Sequence, residues 1–159
     1  MNSQKRTDIW ESLLDDEMNE VYWCGEARRY GVQDRLLSTT VAIASSSTVL
    51  ALVGSAQMVG KVIACLATVV SIVHATFFHT GRLKQVTTLA ARWKEMAIDY
   101  RLLWAGIESD DVVDVKVWKE YETISRREKQ IDESAFNINQ RRLMSAFNQV
   151  RTARGFTHE

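Results

Sequence analysis

LLSTTVAIASSSTVLALVGSAQMVGKVIACLATVVSIVHATFFHTG, residues 36–81, holds one formally charged side chain, Lys61. On either side of that lysine the chain is long enough to cross a bilayer: 36–60 is twenty-five uncharged residues and 62–80 is nineteen. At a helical rise of about 1.5 Å per residue the shorter piece covers roughly 28 Å, close to the ~30 Å of a hydrocarbon core. The reading is a membrane hairpin with helices over 36–58 and 62–80, turned at Gly54, Ser55, Gln57 and Gly60. Eight Ser or Thr make the first span marginal on its own. The second is stronger, because Val62, Ile63, Leu66, Val69, Val70, Ile72, Val73, Phe77 and Phe78 all favour insertion, and a tight pair can enter together. The competing reading is a soluble helical bundle with a buried central hairpin, although a domain of 159 residues rarely needs two adjacent uncharged helices of this length.

Each span has two faces. In the first, Leu36, Ile43 and Leu50 recur every seventh residue, with Val49 and Val53 nearby, while Thr40, Ala44, Ser45, Ser47, Thr48, Ala51, Gly54 and Ser55 form a small or hydroxylated side. In the second, Ile63, Leu66, Val70, Val73 and Phe77 oppose Gly60, Ala64, Ala67, Thr68, Ser71 and Ala75. Small residues at intervals of three and four let helices approach closely in lipid, so the bulky faces are expected to meet lipid and the small faces protein. Thr39 and Ser46 fall on the bulky side, against the pattern.

The formal net charge is zero, but the parts differ: 1–35 has five basic against eight acidic residues, and 82–159 has fourteen against twelve. That balance gives no field for specific nucleic-acid binding. The acidic first thirty-five residues do not read as a cleavable signal, so the spans themselves serve as the insertion signal. Arg28, Arg29 and Arg35 precede the hairpin and Arg82, Lys84, Arg92, Lys94 and Arg101 follow it, against Lys61 alone in the turn. Positive flanks stay inside, so both termini are expected in the cytoplasm, with the hairpin in a bacterial inner membrane. Tyr22, Trp23, Tyr30 and Trp93 are candidates for an interfacial belt, with core packing the competing role for Trp93. Cys24 and Cys65 lie on opposite sides of the boundary, in no metal-binding spacing.

The expected fold class is therefore an all-α membrane protein, a two-helix transmembrane hairpin with long amphipathic cytoplasmic helices. Its parts are an N-terminal helix in 1–35, the hairpin in 36–81 and a C-terminal arm in 82–159. Thr7 and Asp8 with Glu11 read as a helix start, and Trp10, Leu13, Leu14, Val21 and Tyr22 as its apolar side. Gly31 is either a hinge or a tolerated helical glycine. No proline interrupts the chain, so the second span is expected to continue as a helix over 82–107. Its seam is Val86, Ala90, Trp93, Ala97, Tyr100, Trp104 and Ile107, at steps of four and three. Gly106 with Ser109, Asp110 and Asp111 predicts a stop and a new cap. A returning helix over 111–150 would pack through Val117, Tyr121, Ile124, Ile131, Ala135 and Ile138, interrupted by Glu128. By length it regains the bilayer surface near 137–139, where Arg141, Arg142, Leu143, Phe147, Arg151, Arg154 and Phe156 would lie at the headgroups or against a neighbouring subunit. An ordinary solvated helix is the alternative.

No phosphate-binding, dinucleotide, metalloprotease or nucleophile-elbow motif is present, so no catalytic residue, cofactor or metal site is expected. The acidic clusters at Asp15, Asp16 and Glu17 and at Asp110, Asp111 and Asp114 read as solvated faces and a cap. His74 and His79 lie about 140° apart on a helix and form no metal pair. An ionisable group within a span is a functional candidate, which makes His74 the gating candidate unless a hydroxyl of the small face satisfies it.

An N-terminal helix, a small-residue hairpin with both ends cytoplasmic, Arg82 directly after the second span and Arg92 and Trp93 in the helix that continues from it resemble the SLATT family. That resemblance covers most of 8–138. It implies a two-transmembrane effector of bacterial conflict systems, pore-forming or membrane-disrupting in antiphage defence, triggered by a partner or nucleotide signal. It also implies an operon-encoded sensor or nucleotide-synthesising enzyme as partner, since no sensor domain is evident in the chain. Two helices cannot enclose a channel, so conduction requires a homo-oligomer, with Thr40, Ser47, Thr48, Ser55, Thr68 and Ser71 as candidate lining or packing positions. The alternatives are a membrane-anchored coiled-coil scaffold that recruits an enzyme without conducting, and a soluble regulatory bundle.

Overall fold

A computed structural model of the chain describes residues 2–53, 80–110 and 113–155, together with Val62, Leu66 and Val69. The described residues form four helices and no strand: α1 is Asn2–Val53, α2 is Thr80–Asp110, α3 is Val115–Glu128 and α4 is Gln140–Ala153. Among them no helix is long and apolar enough to cross a membrane. Most of the expected second span, and 54–60 of the first, lie outside the described residues. The chain divides into two compact units, Met1–Glu26 with Val86–Glu159, and Ala27–Gln85.

The first unit is an up-down-up-down bundle. Helices α1 and α2 are antiparallel: Trp10 meets Trp104 with ring centroids 4.7 Å apart towards one end, and Trp23 and Trp93 share a partner at the other. Helix α3 returns along α2, with Arg127 on Glu95 and Asp99, and so runs parallel to α1, where Ser12 meets Tyr121. Helix α4 descends along α1, pairing Arg142 with Glu26 and Arg154 with Glu17. Ile9, Leu13, Met96, Tyr100, Leu103, Ile107, Val113 and Ile124 form the core.

The α2 seam is the one expected. Val86, Ala90, Trp93, Ala97, Tyr100 and Ile107 are buried, and Leu89, Met96 and Leu103 add a second buried row. Two rows at heptad spacing suit a helix packed on more than one neighbour. Burial places Trp93 in the core and not in an interfacial belt, and the same holds for Tyr22 and Trp23.

Other boundaries differ from expectation. Helix α1 already begins at Asn2, so Thr7 and Asp8 lie inside it, and the Thr7 hydroxyl donates to the Ser3 carbonyl at 3.0 Å. Gly31 does not break the helix, and a Cβ there would meet nothing within 4 Å, as expected of a tolerated glycine. The cap of α3 is Asp114, whose carboxylate accepts the Val117 N–H at 2.8 Å, three residues beyond the expected 109–111. The single helix expected over 111–150 is two helices joined by a strap, 129–139. Asp132 Oδ1 accepts the Ser134 N–H at 2.9 Å, and Asn139 Oδ1 caps α4 by accepting the Arg142 N–H at 3.2 Å. Such short polar side chains offer the backbone a partner outside the helical ladder, which ends the helix despite its apolar spacing.

In the second unit, large apolar side chains face outward: Leu36 is 64% exposed and Leu66 61%, and Val32, Val62 and Val69 are similarly open.

Candidate functional site

Of the expected lining residues, Thr40 is exposed, and its hydroxyl donates back to the Leu36 carbonyl at 2.8 Å. The side chains of Ser47 and Thr48 lie outside the described residues, as do Ser55, Thr68, Ser71 and His74 altogether. Arg28, Arg29, Arg35, Arg82 and Lys84 are exposed on the second unit. The two arginines of the tail part company: Arg141 is exposed, whereas Arg142 hydrogen-bonds the buried Glu26. The tail forms the fourth helix of the bundle, with Ala146 and Val150 buried and Arg154 bound to Glu17.

The bundle carries a polar seam that reading the sequence missed, because Asp16 and Glu17 are buried rather than solvated. Glu17 accepts from Arg101 Nε at 2.6 Å and from Arg154 Nη2 and Nε at 2.6 and 3.0 Å, so one carboxylate of α1 joins α2 and α4. Arg101 also reaches Glu20 at 2.6 Å. Burial would raise the Glu17 carboxyl, but the two guanidinium groups outweigh it and hold it below the usual carboxylate range. Towards the end where α1 leaves the unit, Glu133 of the strap accepts both the Trp23 and the Trp93 indole N–H at 2.7 Å. Beside it the Asn139 N–H donates to the Tyr22 oxygen at 2.9 Å, and Phe136 packs edge-on against Trp23.

Asp16 differs from its neighbours. It is fully buried, and neither carboxylate oxygen has a hydrogen-bond partner. Burial, then the charges of Glu128 and Asp15, push its carboxyl up to about 8. Glu128 is raised too, chiefly by burial, although the Tyr100 hydroxyl donates to it at 3.2 Å. Burial and the same two carboxylates hold the Tyr100 phenol above its ordinary range.

Between α2 and α3 lies an open groove of about 470 Å³, lined by Leu102, Leu103 and Ile124 together with Asp99, Lys116 and Lys119 among others. Among the described residues no group of three or more His, Cys, Asp or Glu could hold a metal ion. The chain matches no family model, no curated protein and no solved structure.

Proposed function

We propose that the chain is a membrane-anchored helical effector, an oligomer that breaches the bacterial inner membrane in antiphage defence through the stretch 36–81. The bundle is the part on which a partner or nucleotide signal acts. The observation that carries this reading is the continuity of α1, a single helix from Asn2 to Val53. It takes a helix of the bundle through the eighteen uncharged residues 36–53. The trigger would act on the bundle helices, of which α1 continues in sequence into the apolar stretch. Outward-facing Leu36 and Leu66 support a cover of lipid or of other subunits, since large apolar patches rarely stay bare.

The test is reconstitution of the full chain in liposomes, with and without the candidate trigger enzymes and nucleotides. Sedimentation with carbonate-washed membranes and trigger-dependent dye leakage are expected. Protein that stays with the membrane but never leaks dye, with any candidate trigger, would favour the anchored scaffold; protein released by carbonate would overturn both readings.

A further inference from the structure

Asp16 sits on the side of α1 that faces α2 and α3, with no exposed surface and no donor on either oxygen. The titratable groups that act on it come from three helices of the unit. On α1 it is Asp15, on α2 Tyr100 and on α3 Glu128. Arg101 and Arg154 hydrogen-bond to Glu17, and Arg101 to Glu20 as well, and neither guanidinium bonds Asp16. An ionised carboxylate in that position would give up its hydration with nothing in return, and only the neutral acid fits. Its acidic neighbour is provided for differently, because Glu128 accepts the Tyr100 hydroxyl. Glu128 raises the Asp16 carboxyl, and of the two only Glu128 accepts a hydrogen bond, so the donor favours charge on Glu128 and leaves the proton to Asp16.

We propose that Asp16 and Glu128 are a proton-binding site built into the bundle, holding one proton on Asp16 in the closed packing and releasing it when α1 and α3 separate. The ligand is the proton itself. Alkalinisation of the compartment that bathes the bundle ionises Asp16 against Glu128 and loosens α1 from α3. The site stands whether or not the chain conducts.

The full chain in detergent is followed by infrared spectroscopy for the carbonyl stretch of a protonated carboxylic acid, with limited proteolysis in parallel. At neutral pH the wild-type chain is expected to show the acid band and to lose it as the pH rises past about 8. Cleavage should accelerate several-fold as the pH rises towards about 8 and level off above it, because the open state has released the proton at lower pH. Asp16→Asn removes the band and the acceleration. Glu128→Gln keeps the band and moves its midpoint to lower pH, because a neighbouring negative charge is gone. Absence of the acid band from the wild-type chain at neutral pH, its survival in Asp16→Asn, or an unmoved midpoint in Glu128→Gln overturns the proposal. The wild-type band and the Glu128→Gln midpoint decide it even if Asp16→Asn does not fold.

Discussion

At the scale of single residues, Glu17 and its neighbour Asp16 impose opposite demands on pH. Glu17 is held below its ordinary 4.5 by Arg101 and Arg154, so its contribution is full above that value and is lost as pH falls through the folded-state pKa. Asp16 is raised from 3.8 to about 8, so the folded state keeps a proton that the unfolded chain has released. Stability therefore declines as pH rises across that interval, by about 1.4 kcal/mol per pH unit, and levels off above it. Replacing Glu17 with Gln should cost about 2 kcal/mol at neutral pH in a denaturant melt. The figure is moderated by the partial exposure of Arg101 and Arg154 and should shrink towards acid pH. A loss that stayed the same at acid pH would show that packing, not charge, holds this position. Neither carboxylate was legible in the sequence, because a run of Asp15, Asp16 and Glu17 has the composition of a wetted surface. What reverses that reading is two arginines 84 and 137 residues further along the chain, which no local pattern reveals.

At the scale of elements, the α2 seam was legible because its inward positions are nearly all apolar, and apolar spacing is the strongest signal a helix leaves in sequence. The inward face of α1 was legible only in part, since Ile9 and Trp23 alternate there with Asp16 and Glu26, which blur the period. The strap was read as helix because Ile131, Ala135 and Ile138 keep a helical interval while Asp132 and Asn139 end the ladder. Its hold on the bundle is concentrated in Glu133. Glu133→Ala would leave two buried indole N–H groups without an acceptor, at about 1–3 kcal/mol each, whereas Glu133→Gln keeps an oxygen in the same place. The alanine variant should be destabilised by about 2 kcal/mol or more, with new protease cuts within 129–139. The glutamine variant should lie much nearer wild type. Equal effects from the two would mean that the indoles are satisfied some other way.

At the scale of the whole molecule, the all-helical class and the antiparallel course of α2 and α3 followed from the sequence, whereas membrane insertion and conduction are proposals that rest on 36–81. If the hydroxyl side of the first span lines a pore, Ser47→Leu with Thr48→Leu should abolish dye leakage from liposomes while leaving the oligomer intact by cross-linking. Ion flux unaltered by the double replacement would reject that lining. The bundle itself is discontinuous in the chain, built from Met1–Glu26 and Val86–Glu159 with Ala27–Gln85 between them. The ribosome therefore delivers the first helix of the bundle, then the whole apolar stretch, and only afterwards the three helices against which Ile9, Leu13 and Trp23 pack. Until the first of these emerges, the amino-terminal helix has none of its bundle partners. If 36–81 directs the chain to a membrane, targeting of the nascent polypeptide comes before maturation of the domain, and a chain stalled soon after residue 85 would present a bare apolar flank to chaperones.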